Sequence, residues 1–296
     1  MDSRKAAYFL SLVDEGSFTA AARVLHLSQP ALSAAIKDLE IELGTTLVER
    51  LGRSVIPTAA GLALEPHARR AVAELRAGEA SVAAVLGLQA GTLRTSCLPT
   101  LATDPMAGAI GALRQRFPAI RVDILGPENS EELVDQLRSG RCEIGLASEG
   151  IRSLDLLVAP AGIQRLTWIL PPGSGCSDDP SLHELAAHPI VTFPRGASMR
   201  TVLDQAFEQE GLEPVIAVEV AARDAVIPLV LSGAGIALVP EPLALDAEAR
   251  GARRSSVRGR LSRQLVVLHR RSPLSPAAAH LKELLCASDG GDAVRS

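Results

Sequence analysis

Gln29, Ser33 and Lys37 stand four residues apart, so they share one stripe if their segment is helical. Their chemistry suits the major groove of DNA. A glutamine pairs bidentately with an adenine edge, a serine donates or accepts, a lysine reaches a base or a phosphate, and Pro30 beside them can touch a thymine methyl. Thr19 and Ser28 add hydroxyls to the set, and the first turn of such a helix aims backbone N–H groups at phosphate. Arg50 and Arg53 are placed to grip the backbone or enter the minor groove. The same spacing also fits a helical hairpin with no nucleic-acid role.

These residues need a frame. Tyr8, Phe9, Leu10, Leu12 and Val13 recur at helical spacing over 4–13, and Gly16 stops that helix. Ser17 caps a second helix, which buries Phe18, Ala21, Ala22 and Leu25. Leu25-His26-Leu27 is a turn. Ser28 caps a third helix, with Pro30 tolerated in its first turn and Gly44 as its stop. Leu32, Ala35, Ile36, Leu39 and Leu43 face inward. Residues 51–57, between Arg50 and Thr58, read as a small β wing with a turn at Gly52, closed by Pro57. Thr58 then caps a long helix to about residue 88. In it Gly61, Leu64, Ala68, Ala71, Leu75, Gly78, Val82 and Val85 alternate three and four apart, a heptad seam. Such a seam is met either by a second copy of the chain or by the chain's own domain. Pro66 lies within it and should bend the helix.

Over residues 1–58, six basic against seven acidic side chains leave a charge of −1. Phosphate neutralisation supplies much of DNA affinity, so a single copy should bind weakly and pairing through the seam should compensate. Past residue 90 short apolar strands alternate with helices: a strand over 93–97, a helix over 103–116, a strand over 121–125, Ser130 opening a helix over 131–139, a strand over 142–147. This predicts an α/β domain with a mostly parallel sheet. Ligands bind such sheets at the strands' carboxyl ends, near helix N-termini. Cys97-Leu98-Pro99-Thr100, Asn129-Ser130 and the stretch from Thr192, Phe193 and Pro194 to Ser198 qualify. The last stretch also holds Arg195 and Arg200, which favour an anion, a carboxylate first.

Several classes are disfavoured. No apolar run reaches the roughly 18–20 residues a bilayer span needs, and Asp14 and Glu15 interrupt any signal-peptide core, so a cytoplasmic protein is expected. The four cysteines are scattered and the six histidines show no metal spacing, which predicts neither metal nor cofactor. Cys97 at a strand end is weighed as a buried thiol against a redox sensor. No GxSxG, P-loop or GxGxxG motif points to an enzyme. The arginines at 258, 260, 263, 270 and 271 lie in a stretch without Asp or Glu and read as a solvated strand and turn.

The run Gly16-Ser-Phe-Thr-Ala-Ala-Ala, then Leu25-His-Leu-Ser-Gln-Pro-Ala-Leu-Ser33, Ile36-Lys-Asp-Leu-Glu40, Leu43-Gly44 and Leu47-Val-Glu-Arg50, resembles the N-terminus of LysR-type transcriptional regulators. Thr58-Ala-Ala-Gly61 resembles the start of that family's linker helix. Ser139-Gly140 before Cys142-Glu-Ile-Gly-Leu, and Val230-Leu-Ser-Gly-Ala-Gly-Ile-Ala-Leu-Val-Pro240, extend the likeness to the C-terminal part. Ala34 and Ala20 depart from it, standing where the family often has arginine, which throws weight onto Lys37, Arg50 and Arg53.

The resemblance implies an overall α/β protein. It would have a winged helix-turn-helix over 1–58, a dimerising linker helix over 59–89, and over 90–296 a two-subdomain effector domain similar to periplasmic binding proteins. Subdomain I would take about 90–162 and 267–296, and subdomain II about 163–266. Implied partners are double-stranded promoter DNA, a small-molecule effector, a second copy through 59–89, a homotetramer, and RNA polymerase as a further contact, with no membrane. Carried onto this chain, the effector residues are Cys97, Leu98, Pro99, Thr100, Ser130, Thr192, Phe193, Pro194 and Ser198. A solute-binding component and an enzyme are the other classes.

Overall fold

A computed structural model describes residues 1–52, 54–85, 91–151, 153–177, 179–255 and 261–287. The N-terminal head is built from α1 (Ser3–Glu15), α2 (Phe18–Val24) and α3 (Gln29–Leu43), then the wing β1 (Val48–Leu51) and β2 (Ser54–Pro57). Its helix ends follow local chemistry. Gly16 and Gly44 take left-handed conformations after α1 and α3, and the hydroxyls of Ser17 and Ser28 accept from the N–H groups of Ala20 and Ala31. His26 turns the chain between α2 and α3 with φ of 55°, a conformation uncommon outside glycine. Phe9, Leu12, Ala21, Leu32, Ile36 and Leu39 form one buried core. The Glu40 carboxylate accepts from the N–H groups of Leu47, at 2.8 Å, and Val48, which ties α3 to the wing.

The linker helix α4 (Ala59–Val85) starts at Thr58, whose Oγ1 accepts from the Gly61 N–H at 3.1 Å and donates to the Thr46 carbonyl at 2.8 Å. It runs on through Pro66. The expected seam divides. Gly61 is buried against the wing, where an added Cβ would lie 2.1 Å from the Leu47 carbonyl oxygen. Ala68 is fully buried in the head's core, and Leu64 packs against it. These three positions therefore meet the chain's own head. A stripe of small and apolar residues at this spacing closes on α1 as readily as on a second helix. Ala71, Leu75, Gly78 and Val82 are exposed, and the Val85 side chain lies outside those described. Arg69 fixes the junction. It is only 6% exposed and ion-pairs with Asp14 of α1 and with Glu65 one turn back.

The C-terminal domain continues with β3 (Gly91–Cys97), a short turn of helix α5 (Pro99–Leu101), α6 (Ala107–Arg116), β4 (Ile120–Leu125), α7 (Ser130–Arg138), β5 (Ile144–Ser148) and the long β6 (Leu156–Leu170). It goes on through α8 (Leu182–Ala186), β7 (Ile190–Thr192), α9 (Ser198–Gln209), β8 (Ile216–Glu219), α10 (Val226–Leu231) and β9 (Ala237–Pro240). It ends with α11 (Glu241–Ala249), β10 (Arg253–Ser255), β11 (Ser262–Arg270) and α12 (Pro276–Ala287). The helix expected over 103–116 begins later, at Ala107. Asp104 precedes Pro105, which disfavours helical backbone, and it sits at φ −153° and ψ 123°.

Parallel pairing holds for β3 with β4 and β5, and for β7 with β8. The expectation of a mostly parallel sheet nevertheless fails. The strands β6 and β11 run antiparallel to each other, and β11 to β5, while β9 and β10 pair antiparallel with β6. These two long strands cross between two lobes, each with its own core. One core holds Leu93, Leu113, Leu146, Val267 and Leu281. The other holds Trp168, Ile190, Phe207, Val230 and Leu238. We call them lobe I and lobe II. Gly140, after α7, fits lobe I against the linker helix, since a Cβ there would lie 3.2 Å from the Arg69 carbonyl oxygen.

Candidate functional site

On the head, Gln29, Pro30, Ala34 and Lys37 are exposed along one side of α3, and Thr19 is exposed on α2. The Ser28 hydroxyl is spent on the helix cap, at 3.3 Å from the Ala31 N–H. Arg50 is exposed on the wing, but its side chain is held back against α2 and α3. Its guanidinium lies 4.3 Å over the Phe18 ring, and one Nη2–H donates to the Ser33 Oγ at 2.9 Å. A cation held on an aromatic face loses little freedom on docking. Ser33, with one lone pair occupied, keeps its own O–H to donate. The wing and α3 thus present one composite face of Gln29, Lys37, Ser33 and Arg50. Arg53 lies outside the described residues.

Between the lobes lies a cavity of about 1110 Å³, whose walls include Ser130, Ser148, Glu149, Ser198, Gln205 and Arg263. Ser130 is there because Asn129, not Ser130, caps α7. The Asn129 Oδ1 accepts from the Glu132 N–H at 2.9 Å, which leaves the serine hydroxyl free at the first helical position. On the opposite lobe, α9 begins at Ser198 after Ala197, with no side chain capping its first N–H groups. Such an end is a ready partner for an anion.

Arg263 is the centre of the site. It lies opposite Gln164 on the crossing strands. Its Nε donates to the Gln164 Oε1 at 2.8 Å, its Nη1 to the Ser198 Oγ of lobe II at 2.9 Å, and its Nη2 to the Thr100 Oγ1 of lobe I at 2.7 Å. A guanidinium has five N–H groups, so these three bonds leave two. Arg263 is 6% exposed, and burial pushes its guanidinium down to about 10, with Asp104 opposing. Among the described residues no carboxylate pairs with it. With the Asp104 charge acting only from beyond ion-pair distance, this buried cation can still attract a negative ligand.

Arg263 was concealed as one of several arginines in a stretch without acids, read as solvated. That reading fails for it, because alternation along β11 turns position 263 inward between the lobes. Arg270 is also half-buried and donates to the carbonyls of Leu137 and Cys142. Residues 258 and 260 lie outside the described residues. Only the register of β11, which decides which arginine of the stretch turns inward, could have found it.

Thr100 and Ser198 converge on Arg263, and Ser130 and Ser198 line the cavity. The other expected effector residues do not line it. Cys97, Leu98, Thr192 and Phe193 are buried, Pro99 is half-buried at the start of α5, and Pro194 is exposed. Arg200, expected to favour an anion, is committed elsewhere: it ion-pairs with Asp204 at 2.8 Å and with Glu219, and donates to the Phe193 carbonyl at 3.2 Å. Arg195 is exposed. Burial raises the Cys97 thiol to about 12, opposite to what a reactive thiolate needs. A second cavity, of about 400 Å³, lies between α4 and lobe I beside Arg70 and the Arg138–Asp155 ion pair. Its lining includes Pro66 and Arg270 but none of the expected DNA-binding or effector residues.

Among the described residues no group of three or more His, Cys, Asp or Glu could hold a metal ion, and no helix is long and apolar enough to cross a membrane.

Residues 3–62 match the family model for bacterial regulatory helix-turn-helix proteins of the lysR family, and residues 86–288 match that for the LysR substrate binding domain. The chain is 29% identical over 288 residues to the RuBisCO operon transcriptional regulator of Allochromatium vinosum, covering 95% of this chain and 94% of that protein. It is 31% identical over 255 residues to the HTH-type transcriptional regulator TfdS of Cupriavidus pinatubonensis, covering 82% and 84%. Among solved structures, full-length CbnR, a LysR family transcriptional regulator, bound to its target DNA matches with a TM-score of 0.70 and 26% identity, over 96% of this chain and 99% of that one.

Proposed function

The chain belongs to the LysR family of DNA-binding transcriptional regulators, and from that premise we propose that its promoter binding or activation is set by a small carboxylate bound between lobes I and II. One observation carries the reading: Arg263 joins Thr100 of lobe I to Ser198 of lobe II with N–H groups to spare, beside an uncapped helix N-terminus. A carboxylate there takes two charge-assisted bonds. It also changes how firmly the lobes are held together, and a ligand with different affinity for two lobe arrangements shifts their populations.

The composite face of Gln29, Ser33, Lys37 and Arg50 reads the major groove. The regulator acts in the cytoplasm as a homodimer joined through the exposed half of the linker helix, Ala71 to Val82, and pairs of dimers form a tetramer on promoter DNA, where RNA polymerase is a further contact. With a head of net charge −1, affinity rests on placing two recognition helices at once.

Mobility shifts on the promoter beside the gene, between about 50 and 200 mM salt, test the DNA reading. A specific, salt-sensitive shift altered by ligand is expected, and absence of any such shift refutes it. Leu75→Asp on the exposed stripe should abolish that shift, and retained wild-type affinity would refute the dependence on pairing. Calorimetric titration of candidate carboxylates against wild-type and Arg263→Gln protein tests the cavity, and equal binding to both counts against it.

A further inference from the structure

We infer that the ligand of the interlobe cavity is a multiply hydroxylated carboxylate, an open-chain sugar acid or hydroxy acid, and not an aromatic acid. This rests on the proposal that the cavity is the effector site and narrows its ligand. The cavity is lined by the polar side chains of Ser130, Ser198, Thr201, Gln205 and Gln264, with Ile151, Val158, Pro160, Val202 and Val266 between them. No Phe, Tyr, Trp or His is among its described lining residues. The nearby Phe193 is buried in the core of lobe II, so it supplies no stacking face. A flat ring would meet aliphatic wall but no aromatic face to stack on, and would leave the lining hydroxyls and amides unpaired.

The acidic side chains ask for ligand hydroxyls in particular. Glu131 and Glu149 line the cavity. Ionised carboxylates only accept, so they match ligand O–H groups and repel a ligand carboxylate. They therefore orient the molecule. Its carboxylate goes to Arg263 and the open end of α9, and its hydroxylated chain runs toward the two glutamates. The Ser198 hydroxyl, which accepts from Arg263 at 2.9 Å, keeps its own hydrogen for the ligand.

The experiment is calorimetry and thermal shift on the full chain with glycerate, tartrate and gluconate, against hexanoate, benzoate and the neutral polyol sorbitol. At least one hydroxy acid should bind tenfold or more tightly than hexanoate, benzoate and sorbitol, and Arg263→Gln should remove the binding. Ser130→Ala, which removes no helix cap, should leave the melting temperature of the free protein unchanged while weakening the hydroxy acid about tenfold. Benzoate or hexanoate binding as tightly as the hydroxy acids, in an Arg263-dependent way, would overturn the hydroxyl inference and leave the carboxylate site standing. Sorbitol binding as tightly as gluconate would overturn the carboxylate site itself. Binding of none of the six would overturn both.

Discussion

Replacing Gly61 with alanine distinguishes a glycine packed inside the head from one on an open helical seam. In the structure the new methyl would lie 2.1 Å from the Leu47 carbonyl oxygen and 3.2 Å from the Pro57 Cβ. The first distance is well inside the roughly 3.5 Å at which such atoms pack. The obstacle is backbone, held by the Thr58 N–H at 2.9 Å and by the neighbouring Thr58 bond to the Thr46 carbonyl, so it does not yield cheaply. Overpacking of this kind costs about 1–3 kcal/mol, and disturbing the Thr58 cap adds about 1 kcal/mol. Alanine returns about 1 kcal/mol through helix propensity. The net expectation is about 1–3 kcal/mol lost from the head, or roughly 5–15 °C in its midpoint. Hydrogen exchange of amides in α1 and the first turns of α4 would read it. Trp168, the chain's one tryptophan, is buried in lobe II and should report no change there. Unaltered exchange and unaltered DNA affinity would refute the packing argument, because an open seam accepts alanine at no cost.

Other outcomes follow from the same geometry. Arg50→Lys keeps the charge but loses both the bond to Ser33 and the planar stack on Phe18; DNA affinity by anisotropy should fall about tenfold, near 1.4 kcal/mol. Arg200→Leu leaves Asp204 and Glu219 facing each other without their cation. Because both carboxylates are partly solvated, the loss should be roughly 1–3 kcal/mol, read by Trp168 fluorescence in urea. His269 is buried, and burial together with Lys282, 3.0 Å from its Nε2, favours the neutral ring. With the folded value lowered, the unfolded chain binds the proton first, so stability is present at neutral pH and falls as pH drops below about 6.5. His269→Gln should flatten the decline in melting temperature between pH 7.5 and 5.5. Cys97, with its thiol near 12, should resist alkylation in the native protein, and peroxide should leave DNA binding unchanged.

The head was legible because its signals are local. Ser17 and Ser28 before helices, Gly16 and Gly44 after them, and apolar residues at helical spacing each act within a few residues, and the structure uses every one of them. The linker stripe was harder. Gly61, Leu64 and Ala68 repeat as a pairing seam does, and only the path of the chain decides that α1 and the wing fill that half. The interlobe cavity depends on distant register. Thr100 and Ser198 could be placed at strand and helix ends, but the residue that gathers them is 163 positions from the first and 65 from the second. The crossing strand β6 was hidden because Pro160 and Gly162 interrupt its alternation, so the antiparallel pairs it makes were not expected.

One helical turn of the linker makes two attachments. The Arg69 side chain grips Asp14 of the head, while its own carbonyl lies against Gly140 of lobe I. Head, linker and lobe I therefore meet within one helical turn, so Arg69→Ala should loosen the head while a side chain added at Gly140 should push lobe I off the same turn.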